Sequence, residues 1–277
     1  MSTWCRASLI LPLFIVIVGC TDLVFQPNHI HYNNPRELDK AFREVRITTP
    51  DGTLLRHWLF PASSPKGTVF FLHGNAQNVS SHANSVAWLP HHGFNVLLFE
   101  YRGFGSNSGH PDLDTTMQDI TTTFHTIRKI PSIAGKPIIL FGQSLGASIA
   151  LYIASKPELK NHLCAVIAEA PFSDYRAIAQ EVLAKSWLTW PLQYPLSWTI
   201  DDRYSPIKRI ETIAPLPLVI IHSVDDTIIP YHHGQKLFTH AKEPKQIWKT
   251  EGHHIAFLKT KSGRKRFLDY VNATCVQ

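Results

Sequence analysis

Apolar runs of strand length recur along the chain: GTVFFLH (67–73), FNVLLFEY (94–101), KPIILFG (136–142), LCAVIAEA (163–170) and LPLVIIHS (216–223). A shorter, more polar one, QIWKTEG, lies at 246–252. Between them run helix-like stretches at 79–92, 112–129, 144–156 and 231–241. Strands apolar on both faces that alternate with helices predict an α/β fold, a mostly parallel central sheet covered on both sides with right-handed crossovers. Upstream, FREVRITTPDGTLLRHWLFPA (42–62) has two alternating runs flanking Asp51-Gly52, which predicts a hairpin. Residues 172–205 break the rhythm with Trp187, Trp190, Trp198, Tyr194, Pro191 and Pro195. They read as a small helical insertion over the C-terminal edge of the sheet. It is either a lid or acyl pocket, or a segment packed onto its own domain.

The pattern at the N-terminus is different. LILPLFIVIVG (9–19) is apolar over 11 residues and follows Arg6. A bilayer span needs about 20, so residues 1–19 read as a signal peptide. The run ends in IVGC (17–20), similar to a bacterial lipoprotein box, which implies a mature chain that starts at a lipidated Cys20. Thr21, rather than aspartate, follows that cysteine, and the resemblance then points to the outer membrane, facing the periplasm. The alternative is a cleaved secretory signal, or an uncleaved anchor, that happens to contain a cysteine. Residues 20–40 lack periodicity and are rich in Asn, Pro and His, an extended tether leading onto one domain at 41–277.

Composition changes this picture little. At 277 residues, 44% hydrophobic and 17% charged, the chain suits one large α/β domain and excludes wholesale disorder. The net charge of +6 is spread out except for KTKSGRKR (259–266), a solvated helix face or a contact with an anionic membrane. No aromatic-interleaved basic patch argues for nucleic acid. Beyond the leader only Cys20, Cys164 and Cys275 remain; no spacing suggests zinc. Cys164 reads most simply as a small buried hydrophobe, and a Cys164–Cys275 disulfide is possible.

Candidate chemistry centres on FGQSLGASIA (141–150), which contains G-x-S-x-G around Ser144. A buried strand runs into this pentad and a helical run leaves it, the strand–turn–helix that a nucleophile elbow requires. The alternative is a glycine-rich helix start with Ser144 as its cap. A serine hydroxyl needs a base, and the base an orienting acid, in the chain order Ser, Asp or Glu, His. VDDTIIP offers Asp225 and Asp226; EGHHIAF offers His253 and His254. Glu169 is a more distant candidate acid.

Taken together, FFLHGNAQN (70–78), EYRGFGSNSG (100–109), FGQSLGASIA, APFSDYRAIA (170–179), IIHSVDDTIIP (220–230) and EGHHIAF resemble the alpha/beta-hydrolase superfamily, and within it the bud-emergence-type serine hydrolases. These blocks cover nearly all of 40–270 in order. The resemblance implies Ser144 as nucleophile. Its acid loop, H-G-x-x-D-x-x-(V/I)-P, selects Asp226 and puts Ser223 where glycine is usual. Its base motif, G-H-x-x-A-F, selects His253 and leaves His254 as a spacer. It implies an oxyanion hole from the N–H groups of Leu145 and Asn75, with a structural His73. Glu100 stands where aspartate is usual. The expected activity is hydrolysis of carboxylic esters or thioesters through an acyl-enzyme, on lipid-like substrates at a membrane, with no metal or cofactor. The competing readings are an aminopeptidase-type serine hydrolase and a catalytically silent lipoprotein that uses the fold for binding.

Overall fold

The computed structural model describes residues 24–32 and 42–276. The expected signal peptide, the lipid-box Cys20 and most of the 20–40 tether lie outside the described residues. The order of elements is β1 (Arg43–Thr48), β2 (Leu54–Phe60), β3 (Gly67–Leu72), α1 (Val79–Val86), β4 (Phe94–Phe99), α2 (Leu113–Ile127), β5 (Ile138–Gln143), α3 (Leu145–Ala154), α4 (Pro157–Lys160) and β6 (Leu163–Glu169). Then follow α5 (Tyr175–Ala184), α6 (Gln193–Trp198), β7 (Leu218–Ser223), α7 (Tyr231–His240), β8 (Lys245–Thr250) and α8 (Lys261–Cys275). The strands form one eight-stranded sheet in the order β1-β2-β4-β3-β5-β6-β7-β8. The β1–β2 and β2–β4 pairs are antiparallel, and the remaining pairs are parallel.

Alternate residues of the buried strands feed two cores, one on each sheet face. Phe70, Leu72 and Leu140 pack with α2 and α3, whereas Val69, Phe71 and Phe141 pack with α1 and α8. This is what a run apolar at every position is for: neither face meets water. Truncating one such ring, Phe141→Ala, costs about 3–5 kcal/mol.

The expected 79–92 helix is two pieces, α1 and a 3₁₀ turn over Leu89–His92. Pro90, without an N–H, opens that turn instead of continuing the helix. The hairpin forms around Gly52, whose φ is +84°. The described part of the tether is docked rather than free. Phe25 is buried against Tyr101 and Phe104, and Gly105 N–H donates to Asn28 O at 2.9 Å. Cys164 is bonded to Cys275, tying the start of β6 to the end of α8, so it is a cross-link and not a buried thiol. In the basic run, Arg264 and Arg266 stack over Trp88 and Trp248 instead of being wholly solvated. Among the described residues no helix is long and apolar enough to cross a membrane.

Register decides where the chemistry meets. Leu72 pairs with Gly142, Gln143 with Glu169, Glu169 with Ile221 and Ser223 with Thr250. The C-terminal ends of β3, β5, β6, β7 and β8 therefore share one edge. The loops that leave them carry Asn75, Ser144, Phe172, Asp226 and the two histidines, and α5 and α6 lie over that edge.

Candidate active site

The turn after β5 is as tight as the pentad predicts. A Cβ on Gly142 would lie 2.2 Å from Gly146 O, and one on Gly146 2.2 Å from Leu72 O, so both positions exclude any side chain. Ser144 has φ 55° and ψ −121°, a conformation costing of order 1–3 kcal/mol. The neighbouring strand holds it there: Ser144 N–H donates to Glu169 O at 2.9 Å. The side chain stands at the N-terminus of α3 and faces a cavity of about 710 Å³.

Of the two acids after β7, Asp226 is buried and Asp225 exposed. Asp226 Oδ1 accepts from the N–H groups of Ile228 (2.9 Å) and Ile229 (3.0 Å), and Oδ2 accepts from His254 Nδ1 at 2.6 Å. Burial raises its pKa. The His254 hydrogen bond and charge, with the two N–H groups, outweigh burial and hold it below the usual carboxylate value. An ionised carboxylate only accepts, so His254 Nδ1 carries the proton and Nε2 is left as the basic nitrogen.

The family motif favours His253, and the geometry corrects this: His253 is exposed, and it is His254 that meets Asp226. The loop explains the one-residue shift. Gly252 N–H donates to Asp225 Oδ2 at 3.0 Å, and Ser223 Oγ donates to Gly252 O. Gly252 and Ile255 have φ of +94° and +49°, so the backbone turns on either side of the pair. Pinned this way, the loop leaves residue 253 exposed where it lines the cavity and turns residue 254 onto Asp226. Ser223, the departure from glycine, thus clamps the acid loop to the histidine loop, a role not visible in sequence.

The other predicted residues sit as follows. Asn75 and Leu145 both line the cavity, and Asn75 Oδ1 accepts from Gln26 N–H of the docked segment at 2.7 Å. Gly74 lies against Ser144 Cβ. His73 is fully buried: its Nδ1 donates to Gly74 O at 2.7 Å, and its Nε2 lies 3.0 Å from Glu100 Oε1. Burial pushes His73 down to about 4 and Glu100 well up, so both are neutral and the Glu100 carboxyl donates to Nε2. Glu169 does not contact a histidine. Its two oxygens accept from Gln143 Nε2 (2.7 Å) and Phe257 N–H (2.9 Å), which joins the serine turn to the histidine loop. Burial raises its pKa, although Gln143 and Phe257 pull the other way. Its one sequence signal is a polar residue ending an apolar strand. Tyr175, also unforeseen, lines the cavity from α5 with a buried hydroxyl.

The cavity wall is mostly aliphatic and aromatic, with Phe172, Ile178, Val182, Leu183, Ile200 and Ile229 among its residues. Among the described residues no Asp or Glu lines it, and Lys259 is the one Lys or Arg that does. Outside it, among the described residues, Glu181, His232 and His233 bring ligand-type atoms within 4.8 Å of one another. Ser173 N–H donates to His233 Nδ1 at 3.1 Å, which puts the ring proton on Nε2, the atom facing Glu181. A metal could not bind there without breaking that arrangement.

A strained serine between a parallel strand and a helix, with an acid–histidine pair delivered by later loops of the same sheet edge, defines the alpha/beta-hydrolase class. The profile of the family described as "Serine aminopeptidase, S33" matches residues 63–212, and the chain belongs to this hydrolase family. It is 31% identical over 284 residues to YfhR of Escherichia coli (strain K12), with 96% of this chain and 95% of that protein covered. It is 28% identical over 214 residues to the lysophosphatidylserine lipase ABHD12 of Danio rerio, covering 72% of this chain and 52% of that one. The Pyrococcus furiosus esterase Pf2001 shares the fold, with a TM-score of 0.73 at 22% identity, covering 91% and 98% of the two chains. The Pyrococcus horikoshii acylaminoacyl peptidase does so with a TM-score of 0.67 at 16% identity, covering 87% and 43%.

Proposed function

We propose that the protein is a serine esterase or thioesterase acting on lipid-like acyl substrates, of the bud-emergence type. Ser144 is the nucleophile, His254 the general base and Asp226 its orienting acid. The observation that carries the reading is the Asp226–His254 pair at 2.6 Å sharing with a strained serine a mostly apolar cavity that no described acid lines. His254 Nε2 takes the Ser144 proton as Oγ bonds to the acyl carbon. The N–H groups of Asn75 and Leu145 hold the oxyanion. The C–O or C–S bond breaks, and the alcohol or thiol leaves with the proton from His254. Water then gives a proton to His254, attacks the acyl-serine, and releases the carboxylic acid and free Ser144.

An aminopeptidase must hold a substrate ammonium, and the described residues of the cavity offer a lysine, Lys259, and no acid to hold it. Its apolar wall suits an acyl chain instead. The ABHD12 similarity and the Cys164–Cys275 cross-link support lipid chemistry and an oxidising compartment. With the lipoprotein box at Cys20, they favour a location in the bacterial envelope.

Fluorophosphonate labelling of wild type and Ser144→Ala tests the chemistry, and Ser144-dependent labelling is expected. A series of p-nitrophenyl esters of increasing chain length, set against aminoacyl p-nitroanilides, tests the substrate class. Faster turnover of the anilides than of every ester sinks the esterase reading.

A further inference from the structure

We infer that the 172–205 insertion docks on a lipid bilayer and presents the mouth of the cavity to it. Residues 186–200 contain no charged side chain. In a surface segment such a run is expected to fold inward. Here it does the reverse: Trp187 is 87% exposed, Leu188 67%, Trp190 60%, Tyr194 57% and Trp198 68%. An exposed apolar patch of this kind marks an interaction surface. Tryptophan and tyrosine are the side chains that settle at the headgroup level of a bilayer.

Two further observations select lipid over a protein partner. Most of the polar side chains of the run bond to the insertion's own backbone. Thr189 Oγ1 donates to Leu183 O, Gln193 Nε2 to Trp190 O, Ser197 Oγ to Tyr194 O and Thr199 Oγ1 to Leu196 O. A surface whose polar groups are satisfied internally loses little on leaving water and has few groups to offer a protein partner. The second observation is where the chain enters. Val24 and Gln26 line the same cavity as Val182 and Leu183 of the insertion, so the N-terminal segment arrives at its wall. The apolar run 9–19 ends five residues before Val24, a reach of about 17 Å at full extension. An anchor at or before Cys20 therefore holds this face of the molecule, and not the opposite one, within that distance of the membrane. This last step rests on the anchor reading of the N-terminus; the exposed face does not.

The test uses the full-length protein in phosphatidylcholine vesicles with brominated acyl chains, which quench only tryptophans that reach the lipid. The chain has seven tryptophans, of which Trp58, Trp88 and Trp248 are buried. Brominated vesicles should quench the wild type, and a component of up to about 40%, the share of the three insertion tryptophans among the seven, should vanish in Trp187→Phe/Trp190→Phe/Trp198→Phe. Equal quenching of both proteins overturns the proposal. If the triple variant also dissociates from dimer to monomer, the face is a contact between copies. The companion variant Trp187→Ser/Trp190→Ser/Trp198→Ser should cleave a soluble short-chain ester as the wild type does, but lose about tenfold on a vesicle-borne long-chain ester. Quenching without cleavage of either ester by the wild type leaves docking standing and removes the esterase reading. Cleavage without differential quenching does the opposite.

Discussion

Replacing His254 by alanine should abolish turnover, and replacing His253 should not. His254 is half-buried and held at 2.6 Å by a carboxylate whose other oxygen is fixed by two backbone N–H groups. Removing a positioned general base from such a unit costs about 10³–10⁶ in kcat. A factor of 10⁴ corresponds to about 5.5 kcal/mol of transition-state stabilisation. His253 is solvent-exposed and does not meet Asp226, so His253→Ala should stay within about threefold of wild type. Stability separates a lost base from a lost fold. His254→Ala removes one charge-assisted hydrogen bond, about 1.5–3 kcal/mol, while Asp226 keeps its two backbone donors. For a domain of this size the melting point should drop by about 5–10 °C, leaving the protein folded at 25 °C. The assay is p-nitrophenyl butyrate hydrolysis beside a thermal melt. A thousandfold loss in His253→Ala with His254→Ala near wild type would refute the reasoning and return the base to the position that the family motif selects.

Other consequences follow from the same geometry. Glu169→Ala should lower kcat about tenfold by freeing the Gln143 and Phe257 groups it holds, whereas Glu169→Gln, which keeps an acceptor for Phe257 N–H, should recover most of it; equal loss in both would rule out a positioning role. The Cys164–Cys275 bond closes a loop of 111 residues, so Cys275→Ser should cost about 4 kcal/mol and lower the melting point by about 10 °C; an unchanged melt under reductant would contradict this. His57 should make the fold acid-sensitive. Burial lowers its pKa to about 3, and Glu100 N–H donates to Nδ1 at 3.1 Å, so a second ring proton would face a donor. With the folded value below the unfolded 6.5, this stabilisation is complete above about pH 6.5 and drains away towards pH 3, by up to about 1.4 kcal/mol per pH unit. His57→Asn, which keeps an acceptor near the Nδ1 position, should flatten the fall in urea-unfolding stability measured from pH 6.5 to 4; an unchanged slope would count against the argument.

The site is a set of linked clamps more than a set of three residues. Ser223 and Asp225 fix Gly252, Glu169 fixes both Gln143 and Phe257, and Asn75 receives the docked Gln26. Each joins segments that are distant in the sequence. This is how a turn strained at Ser144 and a histidine on a late loop keep a common geometry.

Much of this was legible in the one-dimensional pattern, for a physical reason. A strand buried on both faces must be apolar at every position, and a tight strand-to-helix turn must have glycine where the backbone approaches within 2.2 Å. Those constraints are local, so β3 to β7, the elbow at Ser144 and the family could be read from runs and spacings. The choice of Asp226 over Asp225 needed the family frame, and burial agrees with it. What could not be read depends on contacts between distant segments. The choice of His254 over His253 turns on the clamp from Ser223 and Asp225, some 30 residues upstream. The docking of Phe25 and the linking role of Glu169 are likewise long-range, and so is the outward face of Trp187, Trp190 and Trp198. A tryptophan-rich run has the same composition whether it fills a core or faces outward. Only the neighbours that fail to cover it tell the two apart.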